Sequence, residues 1–209
     1  MIDRVLLLVI VCSAALSVRA QAPQPLVIGE TFLMQSQVLH EERRINVYAP
    51  PAYAASPDVR LPVLSMPDGG IAEDFLHVAG LVQVLTGNGT MRPFLLVGIE
   101  NTERRLDLTG PTENEKDKKI AARVGGSANF RAFLRDELIP AIEKRYRTTS
   151  ERAVVGESLA GLFIVETLLL EPGLFDTYIA FDPSLWWNDE KLERRGTGSP
   201  DAASPHRHR

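Results

Sequence analysis

A serine in a glycine-flanked turn is the feature of this sequence with the clearest chemistry. Residues 156–161 read Gly-Glu-Ser-Leu-Ala-Gly and separate the apolar run 153–155 from a second apolar run, 162–165. The first run predicts a strand and the second a helix. Such a tight turn needs small residues two before and two after its serine, and glycine and alanine stand there. Ser158 is therefore expected at a helix N-terminus, where free N–H groups favour a developing oxyanion.

The same six residues match the nucleophile elbow of α/β-hydrolases, in which the turn lifts a serine hydroxyl above the sheet edge. In this interpretation Ser158 is the nucleophile of an acyl transfer. A simpler interpretation is that Ser158 caps a helix after a buried strand and that the glycines only serve the turn. We prefer the elbow, because the apolar runs on both sides agree with it.

The composition is that of an ordinary globular domain. The chain has 209 residues, of which 44% are hydrophobic and 24% charged, and this is enough for one core. A net charge of −4 without a basic patch argues against a nucleic-acid partner. His206 and His208 lie near each other, but no carboxylate or cysteine cluster completes a metal site around them. We therefore expect no cofactor and no metal.

The first twenty residues have the composition of a signal peptide. Arg4 precedes the apolar stretch 5–16, and Ala20 ends a segment with small residues at the usual cleavage positions. The stretch is short for a membrane span, so an uncleaved anchor is only the alternative. Cleavage would also remove Cys12, the one cysteine. The sequence thus predicts a periplasmic or secreted protein without stable membrane insertion after cleavage.

The order of the predicted elements is β-rich first and then alternating. Residues 40–42 are expected to form a charged turn, and Pro140 to kink or break a long helix. Strands that alternate with helices imply right-handed crossovers, a mainly parallel sheet and helices on both faces. The expected strands are 31–39, 43–48, 61–66, 94–99, 153–155 and 178–181, and the main helices are 71–85 and 129–146.

Three loops are expected to meet at the carboxyl edge of this sheet, where such folds place their active sites. They are residues 68–70, residues 100–102 and the turn around Ser158. An oxyanion hole there needs the N–H after the nucleophile and a second N–H from the glycine loop. These donors would be Leu159 and either Gly69 or Gly70. The alternative is a glycine turn required by backbone geometry alone.

Four motifs occur in an order that resembles a known family. They are residues 66–70, residues 98–102 with Arg104 and 107–109, residues 156–161, and residues 183–187. Together they resemble the esterase branch of α/β-hydrolases that includes enterochelin-esterase-like and esterase-D-like proteins, over residues 31–188. The resemblance implies serine-dependent hydrolysis of a small-molecule carboxylic ester, of siderophore type or another, through an acyl-enzyme.

The resemblance also carries over to individual residues. It favours the Gly70 N–H as oxyanion donor, and it places Asn101, Arg104 and Asp107 in a loop beside the site, with Asn101 a candidate for the substrate pocket. The interpretation that we prefer for these three side chains is a polar network that pins the loop. Trp186 and Trp187 are expected either to line an acyl or aryl pocket or to pack against the sheet edge.

The chain departs from the family near its C-terminus. The family's catalytic histidine follows two further strands, whereas this sequence from Arg194 is rich in Gly, Ser and Pro, a composition typical of a disordered tail. We therefore predict a hydrolase domain over residues 21–193 with its last strands missing, and a tail over 194–209. A truncated or frameshifted reading frame is the hypothesis that explains this composition.

Without that histidine, the general base has to be sought elsewhere. His206 and His208 follow the serine in chain order but lie in the predicted tail, and Asp182 could be a triad acid or only a turn residue before Pro183. We therefore expect impaired activity. Two alternatives remain open: a hydrolase-like protein that binds its ligand without turnover, and a non-functional truncated copy.

Overall fold

The structure, a computed structural model, describes residues 22–196. Within this range six strands form one sheet in the order β1-β2-β4-β3-β5-β6. β2 pairs antiparallel with both β1 and β4, and the other neighbours are parallel, so the predicted mainly parallel sheet is confirmed. The strands are β1 (Glu30–Ser36), β2 (Glu41–Tyr48), β3 (Leu61–Pro67), β4 (Leu95–Ile99), β5 (Thr148–Glu157) and β6 (Thr177–Phe181).

Helices cover both faces of the sheet, as predicted. One face packs against α2, whose Phe75, Ala79 and Val82 are buried in a cluster with β3 and β4. The other face packs against the helices that precede and follow β5. The helices are α1 (Pro51–Ala55), α2 (Phe75–Gly87), α3 (Arg104–Asp107), α4 (Glu115–Ile120), α5 (Ser127–Phe133), α6 (Ile139–Arg145), α7 (Leu159–Leu170) and α8 (Trp187–Gly196).

The central strands give the site a rigid support. Every residue of β3 and β4 is buried, as expected for strands that are covered on both faces. β3 lies between β4 and β5. The carboxyl ends of these three parallel strands therefore meet at one edge, and the loops that leave them are the three loops singled out from the sequence.

The first hairpin differs from its prediction. The turn occupies residues 37–40, and Glu41 and Glu42 already belong to β2, so the predicted turn at 40–42 is wrong. Its position is set by Glu137, whose carboxylate accepts hydrogen bonds from the N–H groups of Gln37 and Val38. This contact joins residues about a hundred positions apart and has no local sequence signal.

Pro140 does not break the long helix. A π-helical turn, Leu134–Leu138, joins α5 to α6, and the Ile139 N–H donates to the carbonyl of Leu134. Proline lacks the N–H that an α-helix would use, and a π-turn accommodates this lack without ending the helix. The predicted helix 129–146 thus exists as one continuous run from Ser127 to Arg145.

Four helices, α1, α3, α4 and α8, lie where the sequence predicted no helix, and α1 stands between β2 and β3. α3 and α4 interrupt the loop expected between residues 100 and 126, and α8 extends to Gly196, beyond the predicted domain end at residue 193. The predicted signal peptide and residues 197–209 lie outside the described residues. Within residues 22–196 the structure contains no helix that is both long and apolar enough to cross a membrane.

Candidate active site

Ser158 lies in a strained turn between β5 and α7. Its φ of 57° and ψ of −116° are unfavourable for a residue with a side chain, and such strain is typical of sites where the fold forces a side chain outward. A Cβ added to Gly156 would stand 2.6 Å from the Cβ of Ala160. Small residues at these two positions are therefore a geometric requirement of the turn.

The loop after β6 is bound to this turn through three hydrogen bonds. The Ser158 N–H donates to the carbonyl of Phe181 at 3.0 Å, and the Ser184 N–H donates to the carbonyl of Ser158 at 3.0 Å. The two serine hydroxyls lie 3.2 Å apart. The sequence analysis did not single out Ser184, although it lies within the motif at residues 183–187.

The glycine loop after β3 stands beside the turn, because β3 and β5 are neighbours. Its two candidate donors are both engaged. The Gly69 N–H donates to the carbonyl of Ile99 at 2.9 Å, and the Gly70 N–H donates to Glu73 Oε2 at 2.7 Å. Glu73 is a second residue that sequence reasoning missed. Leu159, the other predicted donor, is the first residue of α7, directly after Ser158.

A network of charged and amide groups fixes this loop. Arg104 binds Asp68 with two hydrogen bonds, Nε to Oδ1 at 2.6 Å and Nη2 to Oδ2 at 2.7 Å. The Asn101 side-chain amide donates to Asp68 Oδ1 at 2.5 Å and to Glu73 Oε1 at 2.9 Å. The hydrogen bond with Asp68 raises the pKa of Arg104. Asn101 and Arg104 thus form the pinning network that the sequence suggested.

A buried ion pair holds the far end of the loop after β4, which carries Asn101 and Arg104. Arg43 Nη2 lies 2.6 Å from Asp107 Oδ2, and the two side chains are only 1% and 4% exposed. Burial raises the pKa of Asp107, and the charge and hydrogen bond of Arg43 act in the opposite direction. Asp107 therefore anchors the chain that carries Asn101 and Arg104, rather than contacting the site itself.

The two tryptophans occupy different environments. Trp186 is 52% exposed, whereas Trp187 is buried and its indole N–H donates to the carbonyl of Gly110 at 3.0 Å. Trp187 also lines a cavity of about 220 Å³, together with Leu162 and Glu166 of α7. Of the two residues, Trp186 is the one that can present an aromatic face to solvent, and Trp187 packs the loop against α7.

No histidine is hydrogen-bonded to Ser158 in the described part of the chain. His40 is exposed in the turn between β1 and β2, and His77 is exposed in α2. β2 is three strand positions from β5, which corresponds to roughly 14 Å across the sheet. His206 and His208 lie outside the described residues. Asp182 is exposed after β6 with a φ of 40°.

Comparison with known proteins decides the family. The model of the family described as "Putative esterase" matches residues 36–207. The chain belongs to this family. Ferri-bacillibactin esterase BesA of Bacillus subtilis (strain 168) is 31% identical to it over 176 residues, which are 76% of this chain and 59% of that protein. The chain therefore matches a relative of which it spans about three fifths.

Solved structures agree on the fold. An IroE-like serine hydrolase from Shewanella oneidensis superimposes with a TM-score of 0.71 at 31% identity, covering 82% of this chain and 57% of that one. The BES protein from Bacillus cereus also gives a TM-score of 0.71, at 24% identity, covering 86% and 70%. The chain thus has the α/β-hydrolase-like architecture of these proteins. Within residues 22–196 it contains no group of three or more His, Cys, Asp or Glu placed to hold a metal ion.

Proposed function

We propose that this protein is a serine-dependent carboxylic ester hydrolase that acts through an acyl-enzyme on Ser158. The observation that carries the proposal is the strained strand–turn–helix geometry of Ser158 at the carboxyl edge of the sheet. The matched relative from Shewanella oneidensis is named a serine hydrolase, which supports the same chemistry.

The proposed substrate is a small-molecule ester of siderophore type. This rests on the family and on the name of the Bacillus subtilis relative, which is a ferri-bacillibactin esterase. Trp186 is half-exposed and follows Ser184 by two residues in the loop that is hydrogen-bonded to the nucleophile turn. A flat aromatic face of this kind suits an aryl or acyl group of the ester.

The proposed oxyanion hole consists of the Leu159 and Gly70 N–H groups. In the described state the Gly70 N–H already holds the Glu73 carboxylate at 2.7 Å. One N–H cannot hold this carboxylate and a substrate oxyanion at full strength together. Catalysis through Gly70 therefore requires that Glu73 withdraw or share the donor.

Turnover is proposed to be impaired. Ser158 has a serine, not a histidine, as its side-chain partner within residues 22–196, and a serine hydroxyl is a poor general base at neutral pH. His206 or His208 could supply the base from outside the described range. The same observation favours a second candidate function, a ligand-binding protein with a hydrolase fold that does not turn its ester over.

We further propose export to the periplasm or beyond. The support is the positively charged start followed by the apolar stretch 5–16 and the small residues around Ala20. The mass of the protein recovered from its native cells is the test: loss of the first twenty residues supports export, and an intact N-terminus in the cytosol contradicts it.

The experiment for the catalytic proposal is labelling of the full-length chain with a fluorophosphonate probe. An activated serine attacks phosphorus, loses its proton, displaces fluoride and keeps the phosphonyl group, which mass spectrometry assigns to a residue. We expect labelling at Ser158 that heat denaturation abolishes and that Ser158→Ala removes. Absence of labelling in folded wild-type protein would contradict the proposal that the chain is an enzyme. Saturable binding of a siderophore ester by that same unlabelled protein would establish the ligand-binding candidate instead.

A further inference from the structure

Ser184 is the side chain that touches the nucleophile within the described residues. Its hydroxyl lies 3.2 Å from that of Ser158, and either oxygen can be the donor. Ser184 itself is only 5% exposed, so its hydroxyl has little access to water as an alternative partner. A buried hydroxyl aimed at a strained nucleophile calls for a role beyond filling space.

The surroundings of Ser184 hold its backbone in place. Its N–H donates to the carbonyl of Ser158 at 3.0 Å, and its carbonyl accepts from the Trp187 N–H at 3.2 Å. The loop can approach this closely because a Cβ on Gly161 would stand 3.0 Å from the Phe181 carbonyl and 3.1 Å from Pro183. The backbone of Ser184 is thus fixed on both sides, within reach of the Ser158 hydroxyl.

We propose that Ser184 is a positioning residue for the Ser158 nucleophile. Its O–H donates to Ser158 Oγ and holds that oxygen in one rotamer above the sheet edge, which leaves a second lone pair free for attack. Ser184 takes no proton in the reaction and forms no covalent bond. This inference rests on the proposed function, since it assigns the second group of the same site.

The expected effect follows from the size of a neutral hydrogen bond. A hydroxyl that biases a side-chain rotamer through one such bond contributes a factor of about three to ten in the rate of attack. Because the loop is held by backbone groups that an alanine retains, Ser184→Ala should leave the fold almost unchanged. Rate and stability should therefore respond differently to this substitution.

The test is the second-order rate constant for fluorophosphonate labelling of Ser158 in the full chain. It is measured for wild type, Ser184→Ala and Ser184→Thr, with the unfolding midpoint of each. Thr keeps the hydroxyl and serves as the rescue variant. Ser127→Ala is the matched control, because Ser127 is 1% exposed and its hydroxyl has no hydrogen-bond partner among the described residues.

We expect Ser184→Ala to label about three- to tenfold more slowly at an unchanged midpoint, Ser184→Thr to return most of the rate, and Ser127→Ala to label like wild type. Equal labelling rates for Ser184→Ala and wild type would overturn the inference about Ser184 but would not affect the proposed function. A Thr variant as slow as Ala would also overturn it, because the hydroxyl would then not be the acting group. Unlabelled wild type refutes the proposed function first, and the inference with it.

Discussion

The two sides of the candidate site are built by different means. On the nucleophile side, backbone strain and close approach do the positioning, and within residues 22–196 the side chain of Ser158 is hydrogen-bonded to the neutral hydroxyl of Ser184. On the glycine-loop side, charged groups do the positioning: Asp68 binds Arg104 and Asn101, and Glu73 binds Gly70. The turn around Ser158 is thus held by backbone geometry and small residues, and the glycine loop is held by charged hydrogen bonds.

This difference in construction follows from the chemical role of each side. A nucleophile turn has to bring its side chain out of the sheet, and this needs small neighbours rather than bonds. The glycine loop has to hold N–H groups in fixed directions while it leaves the central strands. There charge-assisted hydrogen bonds, roughly twice as strong as neutral ones, fix a loop that has little apolar packing of its own. Substitutions that remove charge should therefore affect the two sides unequally.

The largest effect is expected at the buried ion pair of the glycine-loop side. Arg43→Met leaves the Asp107 carboxylate buried without its partner, which should lower the free energy of unfolding by about 3–5 kcal/mol. Urea unfolding at pH 7 measures this loss. The double variant Arg43→Met/Asp107→Leu is the control and should recover much of it, since an apolar pair of similar volume often replaces a buried ion pair without cost.

The same variant has a signed pH dependence. Burial already raises the pKa of Asp107 above its ordinary value, and removal of Arg43 removes the groups that lower it. A raised pKa in the folded state gives stability that is present below the ordinary pKa and is lost as the pH rises through the folded value. Arg43→Met should therefore be relatively more stable near pH 4 than at pH 7. Equal losses at both pH values would refute the assignment to Asp107.

Glycine substitutions test the role of shape on both sides. A Cβ at Gly69 would stand 2.3 Å from backbone atoms of Gly98 and Ile99, whereas a Cβ at Gly156 would meet the side chain of Ala160 at 2.6 Å. The Cβ of Ala160 is attached directly to the backbone and has no rotamer by which to move away, so neither contact is relieved without a backbone shift. Gly69→Ala and Gly156→Ala should therefore each cost about 3 kcal/mol. Gly80→Ala, with no atom within 4 Å in α2, is the control and should stabilise by about 0.5 kcal/mol. A Gly156→Ala variant as stable as wild type would contradict the role of shape on the nucleophile side.

The sequence predicted the nucleophile side of the site better than the glycine-loop side. The elbow depends on apolar runs and on small residues within three positions of Ser158, and such local patterns are readable from the chain. Glu73 and Ser184 could not be recognised in this way. Glu73 also binds Asn101, 28 residues away, and Ser184 lies 26 residues from Ser158.

The helices also differ in how well local sequence patterns predicted them. α2, α5 and α7 have apolar faces that bury against the sheet, so their spacing revealed them. α4 reads Glu-Lys-Asp-Lys-Lys-Ile and depends on the Asn114 side chain, which accepts a hydrogen bond from the Lys116 N–H. A short polar helix of this kind has no periodic signal, and only the position of its cap could have indicated it.

A charge change at Glu73 tests whether the carboxylate competes with the oxyanion. Glu73→Gln keeps the shape but has a single acceptor oxygen, so it can hold the Gly70 N–H only by a neutral hydrogen bond and only by giving up the bond from Asn101. If Gly70 is the oxyanion donor, fluorophosphonate labelling of Ser158 should accelerate by about three- to tenfold. Glu157→Gln is the matched control, because it removes a carboxylate directly beside Ser158 in the chain without touching the glycine loop. Equal acceleration by both would indicate a general charge effect, and slower labelling of Glu73→Gln would contradict the competition.

The smallest effect is expected for the ion pair between Arg104 and Asp68. The exposed pair between Arg92 and Glu151 serves as its control. Arg104 and Arg92 each bind a carboxylate with two nitrogens, Asp68 for the first and Glu151 for the second. The Arg104 and Asp68 side chains are 37% and 10% exposed, whereas those of Arg92 and Glu151 are 58% and 32% exposed. Arg104→Gln should cost about 1 kcal/mol after allowance for solvent screening and should slow labelling of Ser158, because Asp68 then loses its hold on the loop. Arg92→Gln should change neither the urea midpoint nor the labelling rate measurably. Equal responses of the two variants would mean that the charge around the glycine loop contributes no more than any surface ion pair.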